Sequence, residues 1–422
     1  MAMITMIKKR DGRQVPFNIE KIANAIFKAA QTVGGKDYSE AMELADKVCQ
    51  QLSEEVIGRD PSVEEVQDMV ERVLVEQGHA KTAKAYILYR ADRTRAREMN
   101  STLMKIYEDL TFMSASDCDI KRENANIDGD TAMGTMLKYG SEGAKQFNEM
   151  YVLDPKHSQA HINGDIHIHD LDFLTLTTTC CQIDLLKLFH GGFSTGHGYL
   201  REPNDISSYA ALACIAIQSN QNDQHGGQSV PIFDYAMAEG VKKTFRRLYT
   251  TNLAKAVSFT LGIEDYTEVL EEFKLIAGDI AKEYGLYPSL QNNDEYKAKE
   301  WEIASAKYGD EFSHLQDRAE KLAESETDRA TYQAMEALIH NLNTMNSRAG
   351  AQNPFSSINY GTDTSPEGRM VIKNVMLAEE HGLGNGETPI FPIHIFKVKE
   401  GVNYNPEDPN YDLFRLACRV SA

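Results

Sequence analysis

The chain has 422 residues, and 44 Lys and Arg against 63 Asp and Glu give it a formal net charge of -19. With 42% hydrophobic and 25% charged residues, its composition is that of a folded soluble protein and excludes a disordered chain. The acidic balance argues against nucleic acid as a partner, because phosphate backbones need basic surfaces. The first twenty residues lack the apolar segment of a signal peptide, and six Cys without a Cys-x-x-Cys pair indicate reduced thiols. We therefore expect a cytoplasmic protein without a membrane segment.

Residues 1–95 have the pattern of one small, mainly helical unit. An Asp-Gly pair lies between the short runs ITMIKK and QVPF, which predicts a β-hairpin at the start of the chain. Apolar residues at helical spacing then predict four helices, which begin after Asn18 as N-cap, near Ser39, at Pro61 and Ser62, and near Lys81. The polar segment 96–123 is the predicted linker to the rest of the chain.

Basic side chains in this unit could gather beside the Asp-Gly turn and bind a polyphosphate. They are Lys8, Lys9, Arg10, Lys21, Lys81, Lys84 and Arg90. Composition alone favours a plainer role, in which these residues solvate the surfaces of the hairpin and the helices.

The order of the motifs in this unit is more specific than its charges. KRDG, Phe17, Lys21-Ile22, PSVEEVQDMVE and AKAYILYR follow one another at spacings that resemble the ATP-cone, a regulatory nucleotide module at the start of many ribonucleotide reductases. The resemblance implies ATP or dATP as allosteric effectors. It also implies phosphate contacts from Lys9, Arg10 and Lys21, with Lys84 as a further candidate, and a base and ribose site formed by Val15, Phe17, Asn18 and Ile22.

Residues 124–422 have longer helices, Gly-rich loops and β-like runs such as DIHIHD, INYGT and PIFPIHIFKV. This mixture predicts an α/β region that is larger than the first unit. The charged stretch 294–345 predicts long helices whose charges form a solvated face.

A His-x-His pair in the run DIHIHD has two interpretations. His167 and His169 on one face of a strand could bind a metal with Asp170, but such a site would need more ligands. The alternative is a core strand whose histidines are hydrogen-bonded to their neighbours. We favour the core strand and predict no metal site.

Two consecutive cysteines, Cys180 and Cys181, also have two interpretations. In an extended strand they point to opposite faces, so only one of them can reach a given pocket. One would then be reactive and the other a packing residue. The alternative is a buried, inert pair.

Two Gly-rich segments, SNQNDQHGGQSVPIFDYA at 219–236 and NSRAGAQNPFSSINYGTDTS at 346–365, are crowded with Asn, Gln and Ser. Loops of this composition offer backbone N–H groups and amides that suit a nucleotide. Together with HIHDLD, TTTCCQIDL, GFSTGHG and TPIFPIHIFKVKEGVN, they resemble the anaerobic (class III) ribonucleoside triphosphate reductase family from about Asn124 to the end.

This resemblance implies a fold, a reaction and several partners. The fold is part of a ten-stranded α/β barrel of the glycyl radical enzyme type, preceded by the ATP-cone. The reaction is the reduction of ribonucleoside triphosphates, usually with formate as the electron donor. The partners are a separate iron-sulfur and S-adenosylmethionine activase, deoxynucleotide effectors and a second copy of the chain in a homodimer or larger oligomer.

The resemblance also assigns roles to residues. Cys180 matches the cysteine that donates a proton and a hydrogen atom to the ribose, and Cys181 would then pack away from it. Arg348, Gly350 and Gln352 lie in a loop that could relay the identity of the effector to the substrate. The predicted helix 236–250 is a weaker candidate for the effector phosphates through Lys242, Lys243, Arg246 and Arg247, and a solvated basic helix is the alternative.

The sequence departs from the family in one respect. A second active-site cysteine that becomes the thiyl radical, four zinc-binding cysteines and an Arg-x-x-Gly-Tyr motif for the glycyl radical have no counterpart in it. We therefore expect an incomplete reductase that is inactive as it stands. A nucleotide-binding regulatory and assembly fragment is the second hypothesis, and a zinc or iron enzyme that uses His167 and His169 is the third.

Overall fold

The computed structural model of the chain describes residues 4–9, 12–99, 102–114, 129–309, 311–348 and 352–422. Contacts between Cα atoms divide the chain into two units, Met1–Glu108 and Asp109–Ala422. No helix in these described ranges is long and apolar enough to cross a membrane.

The first unit consists of a β-hairpin and helices. Strands β1 (Met6–Lys8) and β2 (Gln14–Pro16) pair antiparallel, with Ile7 opposite Val15. The helices are α1 (Ile19–Thr32), α2 (Tyr38–Glu55), α3 (Val63–Glu76) and α4 (Ala80–Met99). The predicted hairpin and the four predicted helices are therefore confirmed. A further helix, α5 (Thr102–Phe112), lies within the segment for which we predict a linker.

Local sequence explains where these helices begin and how they pack. Ser62 accepts a hydrogen bond from the backbone N–H of Glu65, and the Glu65 carboxylate accepts one from the backbone N–H of Ser62, which forms a capping box. Asn18 precedes α1 as expected, but its side chain makes no capping hydrogen bond. The apolar faces of the helices meet in one core, which includes Ile22, Ile26, Leu44, Val48, Leu52, Val70, Val73 and Leu74.

The second unit alternates helices with short strands. Its helices are α6 (Ala132–Phe147), α7 (Pro155–Asn163), α8 (Leu185–Phe189), α9 (Ile206–Asp223), α10 (Phe233–Leu261), α11 (Thr267–Tyr284), α12 (Asp294–Tyr308), α13 (Phe312–Thr344), α14 (Pro366–His381) and α15 (Tyr411–Val420). Its strands are β3 (Thr179–Gln182), β4 (Phe193–Ser194), β5 (Tyr199–Leu200), β6 (His225–Val230), β7 (Ser356–Tyr360) and β8 (Ile393–Phe396).

Four of these strands form a parallel sheet in the order β3-β6-β7-β8. Burial alternates along β7, where Ser356, Ile358 and Tyr360 are buried and the residues between them are only half-buried. The buried side contributes to a core with residues of α9, α10, α13 and α14. The predicted fold class is confirmed as a mainly helical N-terminal part followed by an α/β region, of which the described residues hold four parallel strands.

Three expectations for the second unit are corrected. The run DIHIHD is not a strand, because it forms turns and irregular backbone between α7 and β3. The run HGGQSV is not a loop, because it pairs on both sides as β6. The charged stretch forms the predicted helices α12 and α13, but its charges are not all on a solvated face. Glu300 is only 1% exposed and accepts hydrogen bonds from Tyr249, Tyr296 and Gln316.

Candidate functional site

The predicted nucleotide site of the first unit includes exposed cations. Lys9, Lys21 and Lys84 are exposed, and Arg10 lies outside the described residues. Of the residues that we expect around the base and ribose, Asn18 is exposed, Val15 and Phe17 are half-buried, and Ile22 belongs to the core with 7% exposure. The exposed lysines leave a surface on which a phosphate group could be bound.

Arg90 differs from these lysines because carboxylates surround it. Its guanidinium donates hydrogen bonds to Glu64 at 2.7 Å, Asp68 at 2.6 Å and Glu71 at 2.7 Å. These three residues follow one another along one face of α3. Arg90 therefore fastens α4 to α3 and is not part of the cluster of cations that the sequence suggested for a polyphosphate.

The cysteine pair lies in β3, but its backbone differs from the extended strand that we expected. Cys180 has a φ of +58°, in the left-handed region, and the register of β3 against β6 shifts between Thr179 and Cys181. Cys180 is exposed, whereas Cys181 is half-buried and its Sγ accepts a hydrogen bond from Asn220 Nδ2 at 3.2 Å. The alternative of a buried, inert pair is therefore wrong, because neither cysteine is buried.

A glycine on the neighbouring strand makes room for Cys180. A Cβ atom at Gly226 would lie 3.0 Å from both the backbone nitrogen and the Sγ of Cys180. Gly226 also has a φ of +90°, which a residue with a Cβ adopts only with strain. The sequence HGGQ therefore carries a glycine where the cysteine and the backbone of β6 come closest.

Half-buried polar side chains lie on the less buried face of the same sheet. Ser229 pairs in register with Ser357, and its hydroxyl donates a hydrogen bond to Asn359 Oδ1 at 3.1 Å. On β8, Ile393 and Ile395 lie in register with Ser357 and Asn359 and are each 42% exposed. Hydroxyl and amide groups of this kind can bind sugar hydroxyls. Sequence reasoning missed these residues, although the alternation in SSINY was an available signal.

The second Gly-rich segment is held by an arginine whose donors are all engaged. The Nε and Nη2 atoms of Arg348 donate hydrogen bonds to the carbonyl of Gln221, and Nη2 also donates to the carbonyl of Gln224. Its Nη1 donates to Gln352 Oε1 at 2.8 Å and to His225 Nδ1 at 3.2 Å. Gly350, the remaining candidate in this segment, lies outside the described residues. Arg348 thus closes the C-terminal end of α9, where a cation is electrostatically favourable.

The structure brings the HIHDLD run and both Gly-rich segments together. His225 lies between Arg348 and Asp170, whose Oδ1 is 3.0 Å from His225 Nε2, and its ring stacks on Phe173 at a centroid distance of 3.7 Å. A cavity of about 280 Å³ opens beside this group. Its lining includes Met136, Leu137, Lys138, Asp172, Phe173, Leu176, His225, Arg348 and Gln352.

The four cations that we predicted for effector phosphates lie in α10 with acidic or aromatic neighbours. Lys242 donates to Glu239 at 2.7 Å, and Lys243 donates to Glu202 at 2.5 Å. The Arg246 guanidinium lies 4.2 Å from the centre of the Tyr287 ring, and Arg247 is 3.9 Å from Asp205. A bound phosphate would therefore compete with carboxylates of this chain.

The His-x-His pair has a different environment from either sequence interpretation. His167 and His169 are exposed, so a core strand with buried histidines is wrong. His169 Nδ1 lies 2.9 Å from Asp170 Oδ1. Within the ranges that the structure describes, no three His, Cys, Asp or Glu side chains come together in a group that could hold a metal ion.

Comparisons with known proteins relate these features to a family. A family model for anaerobic ribonucleoside-triphosphate reductase matches residues 123–422, and a model for the ATP cone domain matches residues 5–95. The anaerobic ribonucleoside-triphosphate reductases of Salmonella typhimurium and Escherichia coli are each 27% identical to this chain over 100% of its length and 50% of theirs. The chain spans about half the length of the curated relatives it matches.

One solved structure with a detectable likeness is the anaerobic ribonucleotide reductase from Thermotoga maritima in complex with dATP and CTP. The likeness covers 76% of this chain and 45% of that chain, at 12% identity and a TM-score of 0.41. The reductase family model, by contrast, matches well over half of the present sequence. The chain therefore belongs to the anaerobic ribonucleoside-triphosphate reductase family and has an ATP cone domain near its N-terminus.

Proposed function

We propose that this chain forms part of an anaerobic reductase that converts ribonucleoside triphosphates into deoxyribonucleoside triphosphates. The observation that carries the proposal is the position of Cys180, which is exposed in a left-handed bulge of a parallel sheet. The less buried face of that sheet carries the hydroxyls of Ser229 and Ser357 and the amide of Asn359. The sheet therefore combines a thiol with groups that can hydrogen-bond a sugar, which are two of the requirements for reduction of a ribose.

In this proposal, Cys180 acts on the ribose while its neighbours hold the nucleotide. The 2' hydroxyl leaves as water when it is protonated, and the Cys180 thiol supplies one hydrogen on that face of the ring. The two electrons of the reduction come from formate, which is oxidised to carbon dioxide. Cys181 stays with Asn220 and serves packing. The cysteine that would abstract the 3' hydrogen, the glycyl radical and the zinc ligands have no matching residues in this sequence.

Regulation is assigned to separate nucleotide sites. ATP or dATP binds the cone through Lys9, Arg10, Lys21 and Lys84, with Val15, Phe17, Asn18 and Ile22 at the base and ribose. Deoxynucleotide effectors bind near Lys242, Lys243, Arg246 and Arg247, and the loop with Arg348, Gly350 and Gln352 passes their identity to the substrate. Formate is the reductant, an iron-sulfur and S-adenosylmethionine activase is the partner, and the chain works as a homodimer or larger oligomer in the cytoplasm.

The test of the catalytic assignment compares the two cysteines in the activated reductase that contains this chain. We expect Cys180→Ser to abolish deoxynucleotide formation, because the O–H bond is too strong to supply a hydrogen atom, while nucleotide binding persists. Cys181→Ser should retain activity at a cost in stability of about 1 to 3 kcal/mol if its hydroxyl lacks a partner. Activity that survives Cys180→Ser and disappears in a folded Cys181→Ser would reverse the assignment.

The test of the cone assignment is a calorimetric titration of the 422-residue chain with ATP and dATP. Replacing Lys9 and Lys21 together by Ala should weaken binding, because charge-assisted phosphate contacts are lost. Lys28→Ala is the matched control, since Lys28 is also exposed on α1. Unchanged affinity in the double variant would place the site elsewhere.

The incomplete reductase and the second hypothesis, a regulatory fragment without turnover, make the same prediction about the radical. We expect this chain to give no glycyl radical signal after treatment with activase and S-adenosylmethionine, because its sequence has no matching motif. Electron paramagnetic resonance measures this directly. A glycyl doublet from the 422-residue chain would contradict the expectation.

A further inference from the structure

We propose that His225 is a positioning residue for Cys180, and that it connects the cysteine to the loop that carries Arg348. The inference rests on the proposed role of Cys180 and adds a residue to which no function has been assigned. Its basis is a continuous chain of contacts from Arg348 through His225 and Gly226 to Cys180, all within the second unit.

The first step is the fixed position of Arg348. Its guanidinium donates to two carbonyls at the end of α9, those of Gln221 and Gln224. Its remaining bonds go to Gln352 and His225. These acceptors occupy every N–H donor of the guanidinium, so Arg348 has a structural task and no donor left for a ligand.

The second step is the orientation of the His225 ring. Arginine can only donate, so the bond from Arg348 makes His225 Nδ1 an acceptor and places the ring proton on Nε2. That proton is then donated to Asp170 Oδ1 at 3.0 Å. Phe173 stacks on the ring at an interplanar angle of 11°, and the side chain is only 15% exposed. The ring is therefore fixed on both edges and on one face.

The third step leads from the ring to the cysteine. His225 pairs in register with Thr179, the residue before Cys180. The next residue, Gly226, lies so close to Cys180 that a Cβ atom on it would be 3.0 Å from both the backbone nitrogen and the Sγ of Cys180. A left-handed φ at a non-glycine residue is strained and persists only when the surroundings hold it. The start of β6 supplies that support, and His225 fixes the start of β6.

Displacement of the loop that carries Arg348 would therefore release the backbone at Cys180 from its left-handed conformation. Without the bond to Arg348, the first residues of β6 lose their attachment to the loop and to the end of α9. The bulge at Cys180 would then relax toward an extended backbone and its Sγ would leave the surface of Gly226. The thiol would become more accessible to a small reagent.

The experiment measures the alkylation rate of Cys180 by iodoacetamide in the 422-residue chain, with peptide mass spectrometry. Cys418 is the internal reference, because it is exposed and lies on α15. We expect His225→Phe and Arg348→Lys each to accelerate alkylation of Cys180 relative to Cys418 by roughly fivefold. His225→Gln retains one donor and one acceptor, so its rate should stay within about twofold of the wild type.

Two further variants distinguish the connection between Arg348, His225 and Cys180 from a general destabilisation of the second unit. His314→Phe makes the same substitution at an exposed histidine of α13 and should leave the ratio of the two rates unchanged. The double variant His225→Phe and Arg348→Lys should be no faster than the faster single variant, because both break one connection. If His225→Phe does not fold by its melting curve, Arg348→Lys carries the test.

Several outcomes would overturn the inference. They are an unchanged ratio of Cys180 to Cys418 alkylation in Arg348→Lys, equal acceleration of both cysteines, additive effects in the double variant, or a His225→Gln chain as fast as His225→Phe. Alkylation requires no turnover. A reductase that remains active with Cys180→Ser would therefore refute the proposed function and leave the alkylation result as it stands.

Discussion

The two units of the molecule differ in what they bury. In the described part of the first unit the buried side chains are apolar ones, with Tyr86 as the only one that carries a hydroxyl, and ionic contacts such as those of Arg90 lie nearer the surface. The second unit buries polar and charged side chains as well, among them Asp234, Glu300 and Asn410.

The two kinds of core specify the folded structure of their units in different ways. Burial of a polar group is costly unless hydrogen bonds satisfy it, so a buried carboxylate such as that of Asp234 fixes partners far away in the sequence. An apolar core needs only the correct pattern and volume. Comparable substitutions should therefore lower the free energy of unfolding more in the second unit than in the first.

The largest effect is expected for Asp234→Ala. The Asp234 carboxylate is 1% exposed and accepts hydrogen bonds from the backbone N–H groups of Gly361, Thr362 and Asp363 at 2.9 to 3.0 Å. Its removal leaves buried donors without partners, at about 1 to 3 kcal/mol for each. We expect a loss of roughly 3 to 5 kcal/mol, measured by urea unfolding with the fluorescence of Trp301, which lies in the second unit.

The matched control for this prediction lies in the first unit. Asp37 also accepts a hydrogen bond from a backbone N–H, that of Ser39, as the exposed N-cap of α2. Asp37→Ala should cost about 1 kcal/mol, measured by hydrogen exchange in the peptides of α2. Equal losses for the two variants would remove the distinction between the units.

The second prediction concerns a buried acid and base on the covered side of the sheet. Burial raises the pKa of Glu379 to about 7 and lowers the pKa of His394 to about 4. His394 Nε2 lies 3.4 Å from Glu379 Oε2, and its Nδ1 is hydrogen-bonded to the Tyr360 hydroxyl. Taken by itself, Glu379 makes a contribution to the free energy of unfolding that is lost as the pH rises from 4.5 to 7. The corresponding contribution of His394 is lost as the pH falls from 6.5 to 4.

These opposite slopes should nearly cancel between the two groups in the wild type, so each variant is compared with the wild-type slope between pH 4.5 and 6.5. Glu379→Gln should make stability fall with decreasing pH, and His394→Leu should make it fall with increasing pH. In each variant we expect the free energy of unfolding to change by about 2 kcal/mol between pH 4.5 and 6.5, because solvent screens part of the effect of the pKa shift. Urea titrations at half-unit pH steps measure the slopes, and the same slope in both variants would contradict the pairing.

A smaller effect is expected for Arg90→Met in the first unit. The substitution removes the guanidinium that Glu64, Asp68 and Glu71 share on one face of α3. We expect a loss of about 1 to 2 kcal/mol at low salt, measured by hydrogen exchange in α3 and α4, and a smaller loss at high salt. Arg72→Met is the control, since among the described residues Arg72 forms an ion pair with one carboxylate, that of Glu55. A loss as large as that of Asp234→Ala would contradict the comparison.

The smallest effect is expected for Ser62→Ala, which removes one half of the capping box at the start of α3. The loss should be about 0.5 to 1 kcal/mol, visible as faster hydrogen exchange in the first turn of α3. Ser62→Thr should restore most of the protection because its hydroxyl can accept the same bond. An effect that spreads through all helices of the unit would show that Ser62 has a wider role.

Local patterns predicted the elements of the first unit because its contacts follow from neighbours in the sequence. The hairpin at the Asp-Gly pair and the helix starts after Asn18 and Ser62 are examples. In the candidate site the motifs pointed to Cys180 and Arg348, but not to the left-handed bulge or to His225 as their connection. No local rule predicts a register shift that depends on how β3 pairs with β6.

The sequence by itself determined the helical first unit, the α/β character of the second and the residues that carry the family resemblance. Periodicity, capping and turn chemistry act over a few residues, so they can be read directly from the sequence. The tertiary structure alone decided that Arg90 binds carboxylates, that Glu300 is buried and that Cys180, Gly226, His225 and Arg348 meet. These contacts join residues far apart in the sequence, and their energies depend on burial and distance, which exist only in the folded chain.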